Sequence, residues 1–266
     1  MLGALGAACA GPSDEPVVGA TASGSYDADA SAEPHVPTGV TSAPVVVMIP
    51  GGSWQSADPT SFEPLAEALA DRGVVAVPVT IRAAQDGVVH PTPVEDVLCA
   101  LAHGAAVAGE AGIRPTRLVL LGHSSGAHLS AVATLAPDRY DPTCEDPVVE
   151  PDALVGLAGP YDIREFAEPA AALFAPDADA AEWDGANPVL LADRRPEVPV
   201  LLLHGTLDDV VPTGFSTDFG TALRDGGHAT TVTVLPEDDH ASIYSAETAA
   251  APVADWLASL PRTSAG

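Results

Sequence analysis

The feature that most constrains this chain is a set of short apolar runs, three of which end in a glycine-bearing motif. Val45 to Ile49 is followed by Pro50-Gly51-Gly52, and Arg117 to Leu121 by Gly122-His123-Ser124-Ser125-Gly126. Val198 to Leu203 is followed by His204-Gly205-Thr206-Leu207-Asp208. Further runs cover Val74 to Val79, Ala153 to Leu157 and Thr230 to Leu235. Strands that are continuously apolar are buried on both faces, as a parallel sheet covered by helices requires. Between them, helical spacing covers Ser61 to Arg72, Pro93 to Ala108, Ser125 to Leu135, Thr213 to Arg224 and Ala246 to Leu260. The alternation predicts an α/β domain: an open, mostly parallel, doubly wound sheet with helices on both faces. In such sheets ligands bind beyond the C-terminal strand ends. All three motifs fall there, which argues for an enzyme.

Two segments break this rhythm. Residues 1–43 read as the remnant of an export signal followed by a flexible linker rich in Ser, Ala, Gly, Asp and Pro. Leu2 to Ala8 is small or apolar, and Leu5-Gly6-Ala7-Ala8-Cys9 resembles a loose lipoprotein box in which Cys9 is lipidated. That predicts export, with membrane attachment only through Cys9; a plain cytoplasmic start is the alternative. Residues 44–266 form the catalytic domain. Within it, residues 159–197 are Pro- and Ala-rich, carry Tyr161, Phe166, Phe174 and Trp183, and are expected to form a small lid. If Cys9 is removed or lipidated, Cys99 and Cys144 remain, and an exported protein can pair them.

Charge narrows the partners. Asp and Glu number 37 against 10 basic residues, all of them Arg, for a net charge of −27. Nothing here builds the basic stripe that nucleic acid demands, nor a basic cluster for an anionic leaflet. A biased genome and a salt-tolerant acidic surface both explain the composition. Asp208, Asp209, Glu237, Asp238 and Asp239 crowd the expected site with no Lys anywhere, so a small neutral substrate is expected.

Gly122-His123-Ser124-Ser125-Gly126 fits G-x-S-x-G, in which a strand turns sharply into a helix and exposes the serine. Ser124 is then the nucleophile; a helix-capping serine is the plain alternative. Ser125 lacks a Gly two positions before it. A hydroxyl needs a base, and His240 lies in the loop after the last strand run. For the acid that holds the imidazole, Asp208 and its neighbour Asp209 both follow the fifth run. The oxyanion hole calls on the amide of Ser125 and on Gly52 and Ser53, where small residues let the backbone approach the substrate. His123 and His128 tempt a metal reading, but their spacing places them on different helix faces without a third ligand, so no metal is expected.

Taken together, VVVMIPGGSW, LVLLGHSSGAHLS, GLAGPYDI, PVLLLHGTLDDVVP and PEDDHAS resemble an α/β-hydrolase serine esterase over residues 44–258. The branch includes the hormone-sensitive-lipase-like carboxylesterases and the kynurenine-formamidase-like enzymes. The resemblance implies an α/β-hydrolase fold, a Ser124–Asp208–His240 triad, no cofactor, and favours Asp208 over Asp209. It implies a substrate pocket lined by Trp54 and, beside the nucleophile, His123. Relatives usually carry His-Gly-Gly-x-Trp where this chain has Pro50-Gly51-Gly52-Ser53-Trp54, and Pro50 can stiffen that turn through its fixed φ. The implied activity is hydrolysis of a small-molecule carboxylic ester through an acyl-enzyme. An amide hydrolase such as an arylformamidase, and an inactive hydrolase-like binding protein, are the rivals.

Overall fold

The computed structural model describes residues 33–261; the expectations for Cys9 and the export signal lie outside them. Six parallel strands form one sheet in the order β2-β1-β3-β4-β5-β6. They are β1 (Ser42–Ile49), β2 (Val75–Pro78), β3 (Arg114–His123), β4 (Ala153–Leu157), β5 (Val200–Gly205) and β6 (Thr230–Leu235). The helices are α1 (Glu63–Ala70), α2 (Thr92–Glu110), α3 (Ser125–Leu135), α4 (Ala167–Ala170), α5 (Ala180–Gly185), α6 (Gly214–Asp225) and α7 (Ala246–Ser259).

The period-two geometry of β1 divides the core. Val45, Val47 and Ile49 face one apolar cluster, with Leu98 of α2, Val132 of α3 and Phe219 of α6. Val46 and Met48 face the other, with Leu65 and Leu69 of α1 and Val253 and Leu257 of α7. Helices therefore cover both faces, and the continuously apolar runs are buried on both sides. β6 is the exception. Its TTVTVL sequence is only partly buried, as befits an edge strand.

The expected boundary at residues 43 and 44 falls inside the sheet. β1 starts at Ser42, and His35 pairs antiparallel with Ala76, so the domain takes in the end of the presumed linker. Residues 159–197 are anchored in the core. Tyr161 is fully buried and stacks on Phe219, with ring centroids 4.3 Å apart. Phe174 stacks on Trp183 at the same spacing, 4.3 Å. Cys99 of α2 and Cys144, in the loop before β4, form a disulfide across 45 positions of sequence.

Candidate active site

The nucleophile turn follows from three residues. Ser124 has φ 53° and ψ −124°, a conformation that L-residues rarely adopt and that the surrounding packing must hold. The packing leaves no room for side chains beside it. A Cβ on Gly122 would lie 2.3 Å from the Gly126 carbonyl oxygen, and one on Gly126 would lie 2.2 Å from that of Ile49. The Ser124 amide donates to the Leu157 carbonyl at 2.9 Å, pinning the turn to β4.

The turn faces two loops. His240 Nε2 lies 3.0 Å from Ser124 Oγ, and its Nδ1 lies 2.8 Å from Asp208 Oδ2. With Nδ1–H donating to the carboxylate, Nε2 is free to accept the serine proton. The Asp208 side chain is fully buried, whereas Asp209 is exposed, so burial selects the acid. The amides of Val210 and Val211 donate to Asp208 Oδ1 at 3.0 and 2.8 Å. The two loops are tied together, since Leu207 N–H donates to the Asp238 carbonyl at 2.9 Å. Asp238 is itself a structural acceptor for Ser242 and Thr248, and Asp239 caps the turn at Ala241 and Ser242.

A second histidine meets the same acid. His204 is fully buried, with Nε2 2.9 Å from the Val211 carbonyl and 3.1 Å from Asp208 Oδ2. Both neighbours are acceptors, so Nε2 carries the proton and Nδ1 accepts from Ser216 Oγ–H at 2.7 Å. Burial holds this imidazole below its ordinary pKa and hence neutral. The sequence signal was present, a histidine four positions before the acid, but helix-like spacing at a strand end carries no weight until the loop is seen.

His123 is buried beside both His240 and the Gly51 turn. Its ring packs between His240 and Tyr244, at centroid distances of 4.6 and 4.5 Å. Its Nε2–H donates to the His240 carbonyl at 2.8 Å. It therefore braces the His240 loop, because the residue before Ser124 leaves β3 toward that loop. Burial, then the nearby His240, pushes its pKa down to about 3.

Trp54 and the oxyanion loop are held from below. Gly52 has φ 156°, Ser53 φ 54° and Trp54 φ 57°. Trp54 Nε1–H donates to His128 Nδ1 at 3.2 Å, and His128 Nε2–H donates to the Ala186 carbonyl at 2.8 Å. Burial pushes His128 down to about 4, which keeps Nδ1 available as an acceptor. The loop that lacks the usual histidine thus receives one from α3. The amides of Gly52, Ser53 and Ser125 have no intramolecular acceptor among the described residues. Phe166, in the expected lid, packs at 6.4 Å from Trp54 and 5.7 Å from Phe215, joining the oxyanion loop to the start of α6. Sequence reading did not place Phe215 at the site.

A parallel sheet covered by helices on both faces, with Ser124, Asp208 and His240 meeting beyond its strand ends, has the α/β-hydrolase fold. The BD-FAE family model matches residues 35–223, and the chain belongs to that family. Over 198 residues it is 30% identical to a probable carboxylic ester hydrolase, LipM, of Mycobacterium tuberculosis, covering 68% of this chain and 45% of that protein. The chain spans about half the length of the curated relatives it matches. A truncated carbohydrate esterase from gut microbiota superposes with a TM-score of 0.72 at 20% identity, covering 93% of this chain and 98% of that one. Esterase 2 of Thermogutta terrifontis, phosphoramylated by tabun, superposes with a TM-score of 0.66 at 22% identity, covering 85% of each chain.

Proposed function

We propose that this chain is a serine carboxylesterase acting on small neutral esters. The observation that carries the reading is the Ser124–His240–Asp208 relay, with contacts of 3.0 and 2.8 Å. Ser124 Oγ attacks the ester carbonyl as His240 Nε2 takes its proton. The amides of Ser125, Gly52 and Ser53 receive the oxyanion. His240 then returns the proton to the leaving alcohol, and water, activated by the same imidazole, releases the acid.

Several observations favour this reading. The relatives named above are ester hydrolases, and a structural neighbour takes an organophosphate, as a serine nucleophile would. Trp54, Phe166 and Phe215 pack into an apolar wall in a chain of net charge −27, which suits an uncharged substrate. We read residues 159–197 as a cap on that wall. The Cys99–Cys144 disulfide favours an oxidising, exported location.

Labelling with a fluorophosphonate and turnover of p-nitrophenyl acetate test the reading together. Folded wild type labels and turns over, and Ser124→Ala does neither. A Ser124→Ala protein with wild-type turnover refutes it. Folded wild type that neither labels nor hydrolyses points instead to a binding protein.

A further inference from the structure

At the end of the sheet opposite the proposed catalytic site lies a cavity of about 400 Å³, lined by Arg72, Arg114 and Arg117. Three of the chain's ten basic residues line one cavity, and among its described lining residues there is no Asp or Glu, in a chain with 37 of them. Chance placement in so acidic a protein would surround arginines with carboxylates. Four of the six other described arginines show that, since Arg82, Arg164, Arg194 and Arg195 each form an ion pair, while Arg139 and Arg224 bond carbonyl oxygens. Arg72, Arg114 and Arg117 form none among the described residues.

Backbone geometry brings two of them together. Residues three apart on a regular strand point to opposite faces. Where β3 pairs with β1 the register slips: Ala43 faces Pro115 but Pro44 faces Arg117, so Thr116 is an extra residue. A bulge of this kind re-aims the side chains that follow it, and Arg114 and Arg117 line the same cavity.

Two of the guanidinium groups are oriented by carbonyl oxygens without being neutralised. Arg117 donates to the carbonyls of Pro261 at 2.6 Å and Asp152 at 3.4 Å, while the Asp152 carboxylate turns to the Leu118 amide at 2.8 Å. Arg72 donates to the Ala68 carbonyl at 2.8 Å. Each guanidinium has five N–H donors, so most remain for a ligand, and its planar fork matches oxyanions. The rest of the wall is largely apolar, with Val74, Leu257 and Leu260.

We propose that this cavity binds a small organic polyanion, with phosphoryl or carboxylate groups on the three arginines and its carbon body on the apolar wall. β3 has 10 residues at about 3.3 Å each, so the cavity lies on the order of 25–30 Å from Ser124 and is separate from the catalytic chemistry.

Calorimetric titration of the full chain with pyrophosphate and with citrate, at matched ionic strength in sodium chloride, tests this. Saturable one-to-one binding of either is expected, and which one binds tells phosphoryl from carboxylate recognition. In Arg114→Gln/Arg117→Gln the dissociation constant should rise about tenfold or more, since charge-assisted pairs are lost. Ester turnover of that variant should stay at the wild-type level. Arg114→Gln alone, at an exposed side chain, serves if the double variant folds poorly. Absence of saturable heat with both anions, or equal affinity in the variants, overturns the proposal.

Discussion

His204 and His240 meet on one oxygen: their ring nitrogens lie 3.1 and 2.8 Å from Asp208 Oδ2. In the proposed mechanism His240 carries the proton, while His204, sealed from solvent and bonded to Ser216, holds Asp208 in place.

Removing His204 should therefore slow chemistry without weakening substrate binding. His204→Phe removes one of the two donors on Asp208 Oδ2 and leaves the Val211 carbonyl and the Ser216 hydroxyl without this partner. At roughly 1–3 kcal/mol for a lost buried partner, kcat falls about 10- to 100-fold with KM unchanged. His204→Gln, which keeps an N–H donor, should recover part of the loss. Steady-state kinetics normalised by organophosphate titration of active sites reads this directly, and an unchanged kcat per site would remove His204 from the mechanism.

Gly52→Ala should disable the oxyanion loop while sparing the fold. Gly52 sits at φ 156°, and its Cβ would lie 2.1 Å from the Ser56 carbonyl oxygen. The loop must shift, and losing an oxyanion donor lowers kcat roughly 10²- to 10³-fold. Thermal melting alongside kinetics separates this from unfolding: a large activity loss at near-native melting temperature is expected, and full activity would contradict the assignment.

Trp54 depends on a neutral His128. In His128→Leu the indole N–H loses its acceptor inside the core. Both kcat and kcat/KM should fall about tenfold or more, by the cost of a buried unmade hydrogen bond. Trp54→Phe has no N–H to satisfy, so His128→Leu on that background should cost much less. Equal losses in the two backgrounds would show that the contact is idle.

Stability should fall as the medium turns acidic. Burial holds His90 and His123 at about 3 and His128 at about 4, against an ordinary value of 6.5. These folded-state values lie below the unfolded one, so the unfolded chain binds more protons between them. Stability is then fully kept above about pH 6.5 and declines as pH drops through the window toward pH 4. Each histidine contributes up to about 1.4 kcal/mol per pH unit. Denaturant midpoints for wild type and His90→Gln between pH 7 and 5 check this, and an equal slope in both would exclude His90 from the effect.

The Cys99–Cys144 bridge closes a loop of 45 residues, worth roughly 2–4 kcal/mol through restriction of the unfolded chain. Cys99→Ser/Cys144→Ser should lose about that much stability and keep its ester turnover at 25 °C. A thiol assay under denaturing conditions should find no free thiol from this pair in the unreduced wild type.

Sequence by itself determined the elements and marked the residues on which the proposed chemistry rests. Continuous apolar runs such as VVVMI, closed by glycine motifs, read as strands buried on both faces, and G-x-S-x-G at a strand end marks the tight turn that carries Ser124. These signals are local, carried by neighbouring residues and the spacing between them. The tertiary structure decided what depends on loops meeting in space. It buried Asp208 against His240 and left Asp209 exposed, packed His123 against His240, and brought His204 onto Asp208. It supplied His128 as the brace for Trp54, and joined Cys99 to Cys144. Each of these joins residues from different elements, and only the packed sheet brings them within hydrogen-bonding or covalent reach; cysteine parity and motif resemblance could nominate Cys99–Cys144 and Asp208, but not the contacts they make.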